Sequence, residues 1–362
     1  MQKAKQLTEP NIRNKFTLLS FLASIWVIYI HANNLTVYGI DADAVGLAGV
    51  CYRMETFLET LVQAAVPLFF LISGLLFFRT FGIGKLWDKW KNRFFTLVIP
   101  YLLWCTLYYL YYVIVTRIPA ISGVMSGGNP KELSFRAWGA AVTTEAYYTL
   151  WFLQNLILFV LLAPVIWLLF KNHRKRIPTG TILLFLFLLY THSSLCSIKL
   201  PGGLDYYLVG SWIGLNHNDM LAHHRKSLTW LGLGYIILTV GTGYYCWNFW
   251  MESLFFVALW YAVDIVSFPQ KGLPWWMSIT FFTYVAHDAV LEAFEKIFLL
   301  MFGKAPVWAL VDYLLMPVLV EVVLIAVAYI LRRYLPGLWH VLTGGRKGNE
   351  NEISTKTESV VQ

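Results

Sequence analysis

With 362 residues, 58% of them hydrophobic and only 13% charged, the chain has too little polar surface for a soluble globular domain. Its net charge of +8 comes with no nucleic-acid-binding motif, and its 4 cysteines, Cys51, Cys105, Cys196 and Cys246, lack metal-ligand spacing. The composition leaves a helical membrane protein, built from apolar runs near the ~20 residues that one span needs.

The first run covers residues 16–34, FTLLSFLASIWVIYIHANN, and carries no charge before His31. Its apolar core is too long for a cleaved leader, and no small-x-small site follows it. At about 100° per residue, Ser20, Ser24, His31 and Asn34 share a face roughly 80° wide, while Phe21, Ile25, Trp26 and Ile28 lie mainly elsewhere. At ~1.5 Å per residue, His31 falls about two-thirds of the way across the hydrocarbon. An ionisable group at that depth is a functional candidate; the plainer reading is an imidazole that only bonds a neighbouring helix.

Ten spans are predicted, at 17–36, 60–78, 94–114, 149–169, 180–197, 203–216, 228–246, 251–268, 278–301 and 310–331. The sixth is short and contains Gly210 and Gly214, which makes it the weakest. The expected fold is all-α: a polytopic membrane helical bundle of about ten transmembrane helices. Residues 1–16 form an N-terminal segment, 17–343 one membrane domain, and 344–362 a polar, disordered tail. Lysine and arginine set the orientation. With the N-terminus inside, twenty-one of the 28 basic residues are cytoplasmic; Arg53, Arg117, Lys131, Arg136, Lys199, Lys296 and Lys304 are outside. Both termini are therefore expected in the cytoplasm. Cys51, Cys196 and Cys246 fall near the outer boundary, where buried free thiols are preferred to a disulfide.

The stretches that could carry chemistry follow in order. In the second span, Val66 to Gly74 joins Pro67, which bends a helix, to Ser73 and Gly74, which admit a close neighbour. The connection after it sets five basic residues, Arg79, Lys85, Lys89, Lys91 and Arg93, against Asp88, with Trp87 and Trp90 at headgroup level. This is either positive-inside anchoring to anionic lipid or a dock for a phosphate-rich cofactor such as coenzyme A. No Walker or dinucleotide glycine motif accompanies it. The long connection 115–148 ends at Glu145, just ahead of Trp151 and Phe152. Glu145 could bind a sugar hydroxyl and Trp151 pack on the ring, or the aromatics could form an interfacial belt. In the ninth span Thr280, Thr283, Tyr284 and His287 share one face, a second histidine-bearing stripe. Glu321, alone in the tenth, needs a partner such as a histidine, or must be protonated. His173, His217, His223, His224 and His340 fall in loops or the tail and read as solvated.

Taken together these pieces resemble a known family. They are the helix ending in His31, the Val66–Gly74 segment, Arg93 seven residues before Pro100-Tyr101, Leu150-Trp151-Phe152-Leu153, Tyr284 to His287, and the terminal Leu342-Thr343-Gly344-Gly345-Arg346, in that order. The chain looks like a bacterial acyltransferase-3 membrane protein, an envelope O-acyltransferase, over residues 15–346. Two positions depart from that pattern: Ser20 stands where the family has an arginine eleven residues before the histidine, and Thr96 where a basic residue often follows Arg93.

The resemblance implies a multi-pass protein of the bacterial inner membrane. It implies a cytoplasmic acyl-CoA donor, acetyl-CoA first, held by Arg93 with Lys89, Lys91, Arg79 and Lys85. It also implies an envelope glycan or glycolipid acceptor at the lipid bilayer, and no metal. His31 would be the general base, with His287 orienting the acceptor or acting as a second base. Tyr284 or Arg53 would donate to the oxyanion, and Asn34, Arg53, Glu145, Trp151 and Ser73 would hold the acceptor. A transporter using the same polar cavity, or an inactive sensor, is the rival expectation. Nothing in the sequence sets an oligomeric state.

Overall fold

The computed structural model describes residues 5–6, 9–118, 132–143, 148–171, 179–193, 200–217, 221–241, 249–266, 268–269 and 272–346. Its helices are α1 (Glu9–His31), α2 (Leu35–Tyr38), α3 (Gly46–Val62), α4 (Ala65–Phe78), α5 (Leu86–Arg93) and α6 (Ile99–Val115). There follow α7 (Phe135–Thr143), α8 (Trp151–Leu161), α9 (Ala163–Phe170), α10 (Thr179–Thr191) and α11 (Leu204–Asn216). The rest are α12 (Lys226–Gly241), α13 (Phe249–Ala262), α14 (Thr280–Phe302), α15 (Pro306–Tyr334) and α16 (Pro336–Thr343). The one strand pairing among the described residues joins Lys5–Gln6 to His223–His224. The protein is an all-helical membrane protein.

Each of the ten predicted stretches contains a helix, but the helices differ in reach. Four continuous runs are long and apolar enough to cross a bilayer: Glu9–Tyr38, Gly46–Phe78, Ile83–Val115 and Pro306–Tyr334. The pair α8 and α9, bent by 59° at Leu162, makes a fifth if it counts as one span. By contrast α14, at 23 residues, has the length but carries Asp288, Glu292, Glu295 and Lys296. The helices α10 to α13 have 13 to 16 residues, short of the ~20 of a full span.

Pro67 does not kink the middle of a helix. It lies in the first turn of α4, just past the break between α3 and α4, where a missing N–H leaves no hydrogen bond unmade. The expected close neighbour of Ser73 and Gly74 is α11. A Cβ on Gly74 would lie 2.3 Å from the Tyr207 carbonyl oxygen, and one on Gly210 would lie 2.1 Å from that of Leu71. The glycines that weakened the sixth predicted span are thus its packing face: they let two backbones approach where no side chain fits.

Ser24 is fully buried and Asn34 nearly so, which turns the first polar stripe into the bundle, toward α14 and α4. The basic end of the bundle is also tied from within. Lys15 is fully buried, 2.6 Å from Asp264 and stacked over Trp260. The other Asp264 oxygen lies 2.9 Å from His224 Nδ1. The solvated reading of His224 is therefore corrected: a buried carboxylate needs partners, and this ring supplies one. His217 likewise packs on Trp212, whereas His340 is exposed. Cys51 and Cys105 are buried free thiols; Cys196, Cys246 and His173 lie outside the described residues.

Candidate active site

The last residue of α1 and the second turn of α14 bring two imidazoles together. The rings of His31 and His287 lie 5.1 Å apart, centre to centre. Nδ1 of His287 is 2.7 Å from the Tyr284 carbonyl oxygen and 3.2 Å from that of Thr283. A carbonyl only accepts, so Nδ1 carries the proton and Nε2 the lone pair. His287 is 0% exposed and its Nε2 has no hydrogen-bond partner. A buried imidazole fixed in this tautomer presents a basic lone pair at Nε2. Asp288 completes the group: one ligand atom each from His31, His287 and Asp288 lie within 4.8 Å of one another. Two imidazoles and a carboxylate can relay a proton or hold a metal ion.

Around this group the helices are cross-linked by buried polar contacts. The Asn34 backbone N–H donates to Glu55 Oε1 at 2.9 Å, and its side-chain amide donates to the Ala309 carbonyl and to Asp312 Oδ2. Tyr38 also donates to Asp312 Oδ2. Glu321 has a partner, but it is the Thr283 hydroxyl at 3.4 Å and not a histidine.

Toward the basic end lies a cavity of about 230 Å³. Ser20, Ser73, Thr280 and Tyr284 line it, together with aromatic and leucine side chains, and its charged residues are Arg93 and Arg346. Among the described residues no carboxylate lines it. An apolar groove of about 320 Å³ beside it, edged by Trp87, Trp90 and Lys91, shares Arg93, Leu97 and Val160 as walls. Arg93 ends α5, where a π-helical segment, Phe94–Val98, joins it to α6. Such widened turns recur at functional sites because they re-aim a side chain. Neither histidine lines the cavity. Tyr284 stands between: its ring lies 6.3 Å from His287, and its hydroxyl donates to the Thr149 carbonyl.

The predicted site residues therefore separate into groups. His31, His287 and Tyr284 are neighbours, and Ser73 and Arg93 share the cavity. Asn34 is taken up in the buried network. Arg53 is exposed on α3, with its guanidinium beside Gly49. Trp151 is 37% exposed, beside Phe70 and Gly202. Glu145 lies outside the described residues. The basic cluster also divides. Arg79 forms a two-pronged pair with Glu9 at 2.6 and 2.8 Å, and Lys89 donates to Thr80 at 2.7 Å. Lys85 and Lys91 are exposed. Of the five, only Arg93 reaches the cavity. Sequence reasoning missed Asp288 and Arg346 as site residues, although Asp288 adjoins His287 and Arg346 follows a glycine pair. It also assigned residues 344–346 to the tail, whereas they fold back onto the bundle.

The imidazole pair thus stands next to a cavity whose charged lining, among the described residues, is two guanidinium groups. Comparison with known proteins gives the family. The acyltransferase domain family matches residues 14–333, and the chain belongs to that family. The succinoglycan biosynthesis protein ExoH of Rhizobium meliloti (strain 1021) is 22% identical over 360 residues, covering 94% of each chain. No solved structure matches.

Proposed function

We propose that the protein transfers an acyl group, acetyl first, from acyl-CoA to a hydroxyl of a cell-envelope glycan, with His31 as general base. The observation that carries this reading is the placement of the His31–His287 pair one helical turn beyond a cavity holding Arg93 and Arg346. The similarity to a protein named for succinoglycan biosynthesis supports a polysaccharide acceptor.

The chemistry balances without a further reactant. His31 takes the hydroxyl proton as the oxygen attacks the thioester carbonyl; the C–O bond forms, the C–S bond breaks, and the proton leaves on the CoA sulfur. His287, with its Nε2 lone pair held beside His31, orients the acceptor or accepts a proton in turn. The thioester arrives from the cavity side and the hydroxyl from the histidine side, so Tyr284 stands where they meet. Its hydroxyl serves the developing oxyanion once it leaves the Thr149 carbonyl. Purified protein given radiolabelled acetyl-CoA should label an envelope glycan fraction, and that glycan from deletion cells should lack the acyl mass. Intact acyl ester in the deletion strain, with no label transferred in vitro, would refute the reading.

This function needs the donor inside and the acceptor outside. We place about ten spans with both termini in the cytoplasm, on the basic-residue asymmetry. A cysteine at Asn129, in a cysteine-free background, should react with impermeant thiol reagent on spheroplasts, and one at Asn349 should not. Equal labelling of both would reject that topology.

A further inference from the structure

Arg346 is the residue the predicted chemistry had not used. After α16 the chain reverses at Gly344 and Gly345, with φ of 64° and 67°, a conformation that favours glycine. Space favours glycine at Gly344 as well: a Cβ there would lie 2.8 Å from Thr96 of the π segment and from Pro100, whereas one on Gly345 would meet the movable His340 ring at 2.5 Å. Trp104 secures the same turn by donating to the Leu342 carbonyl at 3.0 Å. The turn carries Arg346 into the cavity wall, 3.6 Å from the centre of the Phe281 ring, with Nη1 donating to the Thr343 carbonyl at 2.9 Å.

Arg93 lines the same cavity, close enough for the two guanidinium charges to act on each other. Among the described residues neither is paired with a carboxylate. Two like charges held together inside a bundle repel, and each gives up water to be there. An anion between them relieves both penalties, and guanidinium forks suit phosphate oxygens. Arg346 reaches this cavity from the other end of the chain, on a wall it shares with Ser20.

We infer that Arg346 and Arg93 form a two-guanidinium seat for the phosphates of the donor, with the Gly344–Gly345 turn as the device that closes it. This rests on acyl-CoA being the donor. The apolar remainder of the cavity, toward Ser73 and Tyr284, then takes the uncharged pantetheine arm and its thioester.

The test is equilibrium binding to the purified full-length chain, with three probes: acetyl-CoA, acetyl-pantetheine, which lacks phosphate, and inorganic pyrophosphate. Arg346→Ala should weaken acetyl-CoA binding by about 10–100-fold, the loss of one or two charge-assisted hydrogen bonds. Acetyl-pantetheine binding should stay within about two-fold, and pyrophosphate should compete with acetyl-CoA in the wild type only. Arg346→Lys, which keeps the charge but not the fork, should lie between; it also serves should the alanine variant fail to fold. Equal loss for acetyl-CoA and acetyl-pantetheine, or no loss for either in a wild type that binds acetyl-CoA, overturns the seat. If the wild type binds pyrophosphate through Arg346 but no acetyl-CoA, the seat stands and the donor assignment falls. If it binds neither, both fall.

Discussion

His31→Ala is expected to lower turnover by about 10²–10⁴-fold, the usual contribution of a general base. The imidazole stands beside His287 and away from the cavity, so acyl-CoA binding and membrane insertion should be retained. His31→Gln should not restore activity, because an amide can form hydrogen bonds but cannot accept the proton. Protonation removes the lone pair, so wild-type turnover should fall at acidic pH. Chelation with EDTA tests the other chemistry open to His31, His287 and Asp288: a general base keeps its activity, whereas a bound metal would be stripped and activity would return with added zinc. If His31→Gln kept near-normal turnover with an unchanged pH profile, His31 would be a hydrogen-bonding residue, and the Nε2 lone pair of His287 would be the base to test next.

Arg93→Ala should raise the KM for acyl-CoA by about 10–100-fold and leave the KM for the glycan little changed. The split follows from position: Arg93 lines both the cavity and the groove next to it, on the far side of Tyr284 from the histidines. Arg79→Ala makes the useful contrast. Its guanidinium is already committed to Glu9 near the surface, and such pairs contribute about 0–1 kcal/mol, so donor affinity should hardly move. Normal donor KM in Arg93→Ala, at normal protein level, would reduce the whole basic cluster to an anchor at the lipid surface.

The sequence could report whatever depends on one helix at a time. A polar stripe at helical period, Ser20, Ser24 and His31 on one helix and Thr280, Thr283, Tyr284 and His287 on another, must face away from lipid, and both stripes do point into the bundle. Each of the ten apolar runs holds a helix, although helices such as α3 and α7 lie mostly or wholly outside them. Local pattern could not say how far each helix reaches, because helix ends depend on what packs beyond them. So α1 begins eight residues earlier than predicted, at Glu9, and Arg53 belongs to a helix where a connection was expected.

Function-bearing geometry depended on residues far apart in the chain. Residues 31 and 287 become neighbours only through the packing of α1 on α14. Five basic residues in one segment look alike in sequence; only packing pairs Arg79 with Glu9, gives Lys89 to Thr80 and turns Arg93 inward. Likewise Gly344, Gly345 and Arg346 have the composition of a solvated tail, but the positive φ of both glycines and the close approach of Gly344 to the π segment fold them onto the bundle. By itself, then, the sequence determined that this is a helical membrane protein with histidines on inward-facing stripes, since period and hydropathy are local properties. Which histidines meet and which arginines share a cavity was decided by tertiary structure, since these follow from helix contacts between residues hundreds of positions apart.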